Sequence, residues 1–382
     1  MEYIVLSYWV SLFILIYIYF GYPAFIIYLA KRKRKHRTNP DYSPFVSLII
    51  CAYNEENIIG KKIDNSLSCD YYDNKYEIIV VSDGSTDKTN EIVNSYDDRR
   101  IKFIYYPDRG GKAKALNKGM ENAKGEVIVF TDANVMFESD AIRELVSAFS
   151  EGSVGCAVGN VILKSPVYGE VSGEGIYSRY EKAIHTAEAN FATMITVDGA
   201  MYAVRREYLS PIPPDSLTDD WYLASGVLGY GKSIVYVPRA VGYEKAAETV
   251  SGEFVRKIRM AAGGYQTMIR RANIFLNPFS YPKLFFMFFS HKLLRWNSLL
   301  FMALFYILNL MLVNHSIWYQ FTLVIQICFY TLALFGWIFN DRLKAALFYI
   351  PYYFVSVNWA VVLGLIKYLT NAQKVTWERG RK

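Results

Sequence analysis

Charged residues are missing from the first part of the sequence. From Tyr3 to Ala30 there is no Asp, Glu, Lys, Arg or His. A helix of this length, at about 1.5 Å per residue, exceeds the roughly 30 Å hydrocarbon core of a membrane. A cleaved signal peptide fits less well, because its positive charges would precede a shorter apolar core. We therefore predict a transmembrane helix over 3–30, with a bend at Gly21-Tyr22-Pro23, where proline removes a backbone donor.

Cysteine is also scarce, and its four positions form no metal-binding pattern. Cys51, Cys69, Cys156 and Cys328 make no CxxC pair and no Cys/His cluster. This spacing argues against a zinc site or a disulfide framework. We expect the cysteines to be reduced residues that serve packing.

A second region without charge lies near the carboxyl end. Between Trp296 and Asn340 there is no acidic or basic residue other than His315, and Ala345 to Ile366 is a further uncharged stretch of 22 residues. Buried helices of soluble domains normally keep a polar face, which these stretches lack. We predict three transmembrane helices over 297–369, four in the whole chain, followed by a basic tail over 370–382.

Positive charge is concentrated directly after the first apolar segment. Lys31 to Arg37 contains six basic charges in seven residues, which favours the cytoplasmic side for the linker 31–43 and for the domain that follows. Without these six charges the formal net charge of +7 falls to +1, which argues against nucleic acid as a partner. Anionic membrane lipids are the expected contact. One helix before the cytosolic domain and three after it would place the basic tail outside the cell, whereas positively charged segments usually lie in the cytosol. Of these two positions we favour the external one.

The middle of the chain, 44–282, is typical of a soluble α/β domain. Short β-branched runs alternate with helical patterns, which favours a mostly parallel sheet with ligands at the carboxyl ends of its strands. The predicted strands are Phe45 to Ala52, Tyr76 to Ser82, Ile101 to Tyr105 and Glu126 to Thr131. The predicted helices between them are Ile58 to Leu67, Thr89 to Ser95 and Lys112 to Ala123. After this domain, the amphipathic segment 283–296 is predicted to lie at the membrane surface.

Polar motifs stand at three of the predicted strand ends. They are Ala52-Tyr53-Asn54-Glu55-Glu56, Asp83-Gly84-Ser85-Thr86-Asp87 and Asp132-Ala133-Asn134. Each alone is a common turn or helix start, but their joint order fits a nucleotide-sugar site. Glu55 and Asp83 suit hydrogen bonds to ribose or base. Asp132 and Asn134 could place two oxygens on one Mg²⁺ or Mn²⁺ that neutralises the diphosphate.

Two further segments suggest phosphate binding and acid–base chemistry. Gly110-Gly111-Lys112 supplies flexible backbone and a cation before a helix, where a phosphate could bind, although a surface turn is an equal alternative. Asp219 and Asp220 are adjacent carboxylates, and such a pair can raise the pKa of one member. One of them is the candidate base that takes a proton from an acceptor hydroxyl, unless both serve only to begin a helix.

From Phe45 to about Gly264, and in its membrane helices, the chain resembles membrane-bound glycosyltransferase family 2 enzymes, the group of cellulose, hyaluronan and poly-N-acetylglucosamine synthases. The resemblance implies a GT-A fold, a nucleotide sugar donor, usually UDP-linked, a divalent metal, and inversion at the anomeric carbon. It assigns nucleotide-sugar binding to Tyr53, Asn54, Glu55, Asp83, Lys112, Asp132, Arg256 and Arg259. It also implies metal binding by Asp132 and Asn134, an acceptor side at Gly199 and Ala200, and Asp220 as the base, with Asp219 the second choice.

Two positions depart from the family pattern. The metal motif ends in Asn134 where an aspartate is usual. The segment Arg256 to Met260 replaces the QxxRW motif of processive synthases, so that Arg259 could still hold diphosphate, while Met260 cannot stack on a sugar as tryptophan does. The first departure weakens the metal assignment slightly, and the second favours single transfer over processive synthesis.

The sequence thus predicts a metal-dependent hexosyl- or N-acetylhexosaminyl-transferase in the cell membrane, multi-pass, with a cytosolic catalytic domain. Its partners would be a nucleotide-sugar donor, a lipid-linked or glycan acceptor and membrane lipids; envelope-biosynthesis proteins and a second copy of the chain are also considered. The alternative is a processive polysaccharide synthase that couples polymerisation to export. A catalytically silent sugar sensor is the third hypothesis, which the intact acidic set opposes.

Overall fold

The computed structural model describes residues 1–32, 36, 38–164, 173–197, 199–245, 250–339 and 346–375. Several sequence predictions concern residues outside these ranges. They are the basic residues at 33–35 and 37, Asp198 beside the acceptor-side glycine, and the basic tail from 376 onward.

The domain between the apolar segments is built on one eight-stranded sheet. Its strands are β1 (Val46–Ala52), β2 (Tyr76–Asp83), β3 (Ile101–Tyr106), β4 (Val127–Asp132), β5 (Met136–Phe137), β6 (Val154–Lys164), β7 (Met201–Arg205) and β8 (Ser233–Lys245). Their order across the sheet is β3-β2-β1-β4-β7-β6-β8-β5. The four strands predicted from sequence are all present, with ends that differ by one residue at most.

The sheet has a parallel half and a mixed half. Strands β1 to β4 pair in parallel, because helices connect each of them to the next. Strand β7 then runs antiparallel to both β4 and β6, and β5 runs antiparallel to β8. The predicted parallel pairing is confirmed for the first half, whereas the second half combines these antiparallel pairs with the parallel pair of β6 and β8. In the central strand β2 every residue is buried, which explains its continuous apolar character.

Among the described residues, eight helices of the domain pack around the sheet, on both of its faces. They are α3 (Ile59–Leu67), α4 (Thr89–Asn94), α5 (Lys112–Asn122), α6 (Ala141–Ser147), α7 (Gly173–Phe191), α8 (Asp219–Gly226), α9 (Val250–Arg270) and α10 (Ala272–Phe275). The first three agree with the sequence prediction to within one residue. Two large apolar clusters, one on each face of the sheet, form the core of the domain.

The first membrane segment is one long helix with an irregular turn. Helices α1 (Glu2–Ile16) and α2 (Tyr22–Lys31) flank a π-helical turn at Tyr17–Gly21, directly before Pro23. Proline cannot donate the regular backbone hydrogen bond, so the wider turn lies where the bend was expected. The combined helix Glu2–Lys31 is long and apolar enough to cross a membrane.

The sequence predicts three separate transmembrane helices near the carboxyl end, but the first of them is short and follows a bend. The segments of this region are α11 (Pro282–Phe288), a π-helical turn at Phe289–Leu293, α12 (Leu294–Trp296), α13 (Ser298–Leu312), α14 (Ile317–Ile338) and α15 (Ala346–Leu369). Within the described residues, three helices of the chain meet the criteria for a span, namely Glu2–Lys31, α14 and α15. With only 15 residues, α13 is short for a bilayer, and a fourth span exists only if the bent pair Pro282–Trp296 and Ser298–Leu312 counts as one.

The end of α15 lies beside the catalytic domain. A Cβ at Gly364 would come within 2.8 Å of the Ile258 carbonyl oxygen on α9 and 2.9 Å of the Ala262 amide nitrogen. Only glycine permits this close approach of two helix backbones. The contact places the last turns of α15 beside this domain, while the side of the membrane on which the tail lies stays a prediction.

A buried cluster of charged groups joins the membrane helices to the catalytic domain. Glu188 on α7 is fully buried; it accepts a hydrogen bond from the Tyr22 hydroxyl at 2.6 Å and pairs with His291 at 2.7 Å. About two turns earlier on the same helix, Glu181 binds Arg295 at 2.5 Å. Burial alone would raise the pKa of Glu188, but the neighbouring His291 outweighs it and holds that pKa below its ordinary value. This cluster fixes α7 against both α2 and the segment before α13.

Candidate active site

The motif residues meet at the carboxyl ends of three parallel strands. In the strand register, Cys51 of β1 lies beside Asp132 of β4, and Ala52 lies beside Ser82 of β2. The segments that follow these strands therefore leave the sheet at the same edge. The predicted convergence of the three polar motifs is confirmed in the fold.

Hydrogen bonds connect the loops after β1 and β2. The Asn54 side-chain oxygen accepts from the Thr86 amide at 2.8 Å, and the Asn54 amide donates to the Ser85 hydroxyl at 3.1 Å. The Glu55 amide donates to the Thr89 hydroxyl at 2.8 Å. Asn54 has a φ of 54°, a left-handed conformation that asparagine tolerates better than most residues. In this structure Asn54 links the loop after β1 to the loop after β2.

Asp83 holds the loop that carries Lys112. Its two carboxylate oxygens accept from the Gly110 amide at 2.7 Å and the Gly111 amide at 2.8 Å. Gly111 has a φ of 87°, which L-residues with a side chain rarely adopt. The side chain of Asp83 is almost fully buried. Its predicted contact with the nucleoside would therefore accompany a structural role that the sequence did not indicate.

An arginine that the motifs did not include lies beside the predicted nucleoside residue. The guanidinium carbon of Arg109 is 3.9 Å from the ring centre of Tyr53, a cation–π distance. Arg109 is exposed and directly precedes Gly110-Gly111. Its position before the glycine pair is the signal that could have identified it. Tyr53 and Arg109 together offer a flat surface of the kind on which a nucleobase stacks.

Lys112 joins two of the predicted acidic motifs. Its ammonium lies 2.8 Å from Asp132 Oδ1 and 3.5 Å from Asp219 Oδ2. Burial would lower the pKa of Lys112, but Asp132, Asp219 and Asp220 outweigh this effect and hold the pKa well above its ordinary value. Lys112 is therefore a fixed positive charge between the metal motif and the candidate base pair.

The proposed metal pair supplies one carboxylate and one amide. The Asn134 amide nitrogen donates to Glu244 Oε1 at 3.1 Å, so its oxygen is turned the other way. Asp132 is partly exposed, and Lys112 engages its Oδ1. Among the described residues there is no group of three or more His, Cys, Asp or Glu side chains that could hold an ion. This donor set fits a hard cation that takes its remaining ligands from the donor diphosphate and water.

A buried lysine supports the metal motif from below. The ammonium of Lys62 donates to the Val135 carbonyl oxygen at 2.5 Å, directly after Asn134, and lies 3.7 Å from the ring centre of Phe137. Burial lowers the pKa of Lys62 to about 7. On helix α3 this lysine looks like an ordinary surface residue, so the sequence did not single it out.

The two adjacent aspartates have different surroundings. Asp219 is buried and turned toward Lys112. Asp220 is partly exposed; its Oδ1 accepts from the Trp221 amide at 2.7 Å, and its carboxylate packs against Gly199. A Cβ at residue 199 would overlap that carboxylate, and the neighbouring Ala200 carbonyl accepts from Thr131 at 3.1 Å. The predicted base therefore contacts the predicted acceptor-side segment.

Helix α9 brings its two arginines to different environments. Arg256 pairs with Glu253 of the same helix at 2.8 Å. The Arg259 Nε atom is buried and has no hydrogen-bond partner among the described residues. Met260, which replaces the family tryptophan, is 53% exposed. No described contact links Arg259 to the carboxylates around Lys112, so its predicted diphosphate contact stays a prediction.

Comparisons with known proteins agree with this geometry. Residues 47–210 match the model of glycosyl transferase family 2. The poly-beta-1,6-N-acetyl-D-glucosamine synthase of Staphylococcus epidermidis is 26% identical over 232 residues, 59% of this chain and 56% of the relative. That of Staphylococcus aureus is 25% identical over 260 residues, 66% and 62% respectively. The chain thus spans less than two thirds of the length of these curated relatives.

A solved structure shows the same fold over nearly the whole chain. It is a mannosyltransferase from Pyrobaculum calidifontis in complex with GDP-Man and Mn²⁺, with a TM-score of 0.74 and 21% identity, covering 96% of this chain and 100% of that one. Together with the family match and the motif geometry, this likeness confirms the GT-A fold. The chain thus carries, over residues 47–210, a domain that matches glycosyl transferase family 2, within a GT-A fold that has apolar helices at both ends.

Proposed function

We propose that this enzyme transfers one sugar, with inversion, from a nucleotide diphosphate donor to a lipid-linked or glycan acceptor at the membrane. The observation that carries the proposal is the position of Lys112, whose ammonium reaches Asp132 of the metal motif and Asp219 of the base pair. The groups predicted for the donor side and for the acceptor side are thus linked by the side chain of Lys112.

The donor would lie along the carboxyl edge of β1, β2 and β4. Tyr53 and Arg109 supply the surface for the base, for which UDP is our first choice. Asp132 and the Asn134 oxygen would hold Mg²⁺ or Mn²⁺, which neutralises charge on the diphosphate when bound. Lys112 adds a second, permanent positive charge, and Asp83 keeps the loop before it in place. These charges favour departure of the nucleoside diphosphate.

The acceptor hydroxyl would approach from the side of Gly199. Asp220 would take its proton while the hydroxyl oxygen attacks the anomeric carbon, and the leaving diphosphate departs from the opposite face. A single displacement of this kind inverts the anomeric configuration. The contact between Asp219 and Lys112 at 3.5 Å does not involve the Asp220 carboxylate, so proton transfer to Asp220 would leave that contact in place.

A processive polysaccharide synthase is the second candidate, and the curated relatives support it. Both relatives described above are named as synthases of a β-1,6-linked N-acetylglucosamine polymer. Against it stands Met260 in place of the tryptophan platform, together with three to four candidate spans in the described part of the chain. These features make single transfer our first choice.

Labelled donors distinguish these functions. The full chain in lipid nanodiscs is incubated with UDP-N-acetylglucosamine or GDP-mannose, Mn²⁺ and a membrane lipid extract, and product length is measured. Addition of one sugar to a lipid supports the proposal, while a ladder of long products supports the synthase. Asp220→Asn should abolish transfer but keep donor binding, and Asp97→Asn, an exposed aspartate far from the motifs, should behave as wild type. Full activity of Asp220→Asn would refute the assignment of the base.

A further inference from the structure

A groove lies between the first membrane segment and the catalytic domain, apart from the active site. It has a volume of about 500 Å³. Helix α2 forms one wall and helix α7 the other. The lining residues are Ile27, Ala30, Lys31, Lys182, Ala183, Thr186, Ala187 and Asn190. Small and apolar side chains form its floor, and two lysines lie at its rim.

The groove lies at the end of the membrane-spanning helix. Glu2–Lys31 has 30 residues, so at about 1.5 Å per residue it is some 15 Å longer than a hydrocarbon core of roughly 30 Å. Its last part, α2, therefore extends to the level of the lipid head groups. One side of α2 is buried against the domain through Tyr22 and Ile26, while Phe25 and Tyr28 are about half exposed. Lipid can reach the groove from this exposed side.

Two of the residues that line the groove are lysines. Lys31 is exposed at the last turn of α2. The Lys182 ammonium on α7 donates to Asn160 Oδ1 at 2.9 Å and to the Val161 carbonyl at 3.1 Å. His36 contacts the Ala189 carbonyl at 3.2 Å, which brings the linker after α2 back to the end of α7. A phosphate at this level would therefore meet a positive field from a fixed lysine and an exposed one.

We propose that this groove binds one anionic phospholipid from the leaflet on the catalytic side. Its phosphate lies near the ammonium groups of Lys31 and Lys182, and part of an acyl chain packs along Ala30, Ala183 and Ala187. A diffuse contact between the basic run and the bilayer would need no groove, whereas the apolar floor selects a molecule with both a charged head and a chain.

The lipid would contact the same helix that organises the acceptor side. On α7, residues 182, 186 and 190 face the groove, whereas Glu181, His185 and Glu188 face the buried charged cluster. The segment after α7 contains Ile195, whose carbonyl oxygen accepts a hydrogen bond from the indole nitrogen of Trp221 at 2.8 Å. Trp221 directly follows Asp220 in the sequence. Occupation of the groove therefore stabilises α7 in the position that supports α8.

Native mass spectrometry of the full chain tests the proposal. The protein is released from nanodiscs containing equal amounts of phosphatidylglycerol and phosphatidylcholine, and the retained lipids are counted. We expect one phosphatidylglycerol per chain. Lys31→Gln should reduce its occupancy by about fivefold, as expected for one basic residue at a membrane surface. Ala183→Phe, at an exposed position on the groove floor, should remove the lipid without loss of charge.

Arg32→Gln is the matched control, because it removes one positive charge at the next residue, outside the groove lining. Retention close to wild type in Arg32→Gln supports a specific site. An equal loss in Arg32→Gln and Lys31→Gln, or unchanged retention in Ala183→Phe, would show only diffuse attraction and overturn the proposal. One-for-one displacement by added polyprenyl phosphate would assign the groove to an acceptor-type lipid and would also overturn it.

Discussion

Replacement of Gly199 by alanine tests the predicted position of the base without changing any charged group. Gly199 is in contact with the Asp220 carboxylate, and a Cβ there would lie 2.7 Å from both Cβ and Cγ of Asp220. Ordinary contacts begin near 3.4 Å, so the side chain of Asp220 must move by about 0.7 Å or more. A displacement near 1 Å at a reacting group costs on the order of 100-fold in rate. We therefore expect kcat to fall about 100-fold in Gly199→Ala.

The assay is sugar transfer by the full chain in nanodiscs, with donor affinity measured separately by calorimetry. Donor affinity should change less than threefold, because the three atoms nearest to a Cβ at residue 199 all belong to Asp220. Gly152→Ala is the matched control, since a Cβ at that position meets nothing within 4 Å. Wild-type turnover in Gly199→Ala would refute the placement of Asp220 against the acceptor side. A loss of donor binding equal to the loss of turnover would refute the separation of the two sides.

Three further predictions concern the metal, the buried cluster and the tail. Asp132→Ala should weaken donor binding in Mn²⁺ at least tenfold, and unchanged affinity by titration would reduce the motif to a turn. Burial lowers the pKa of His185 to about 4, below its ordinary value of 6.5. As the pH falls from 6.5 toward 4, the unfolded chain takes up a proton at His185 before the folded chain does, so the folded state loses stability over this range. His185→Gln should flatten the melting temperature over that range, whereas an unchanged slope would contradict it. Lys374→Cys in sealed right-side-out vesicles of a cysteine-free background should react only after lysis, and direct labelling would place the tail outside.

The parallel half of the domain could be predicted because its information is local. Strand β2 is buried on both faces and therefore reads as a continuous apolar run, and Pro44, Asn54 and Gly84 mark strand ends or turns. Parallel pairing then brings the ends of β1, β2 and β4 together without further information. The mixed half could not be predicted in this way. Strand β7 pairs with β4 across about seventy residues of chain, and no local pattern specifies such a contact.

Contacts between distant residues also decide what the motif residues do. Asp83 was expected to bind the donor, yet its two oxygens hold Gly110 and Gly111, which lie 27 and 28 residues later. Lys62 supports the turn after Asp132 through Val135, 73 residues away. A motif shows that a carboxylate or a cation is needed near a strand end. It does not show which of them touches the substrate and which holds the others in place.

Helix α7 shows how the membrane segments and the base are connected in one chain of contacts. Its Glu188 binds Tyr22 and His291, which fixes its distance from the spanning helix and from the segment before α13. Breaking a buried ion pair by removing one partner costs about 3–5 kcal/mol, so α7 cannot shift freely against the bilayer. The segment after α7 ends at Gly199, against Asp220. These contacts tie α7 to the spanning helix and bring Gly199 against Asp220, as the proposed transfer to an acceptor held in the bilayer would require.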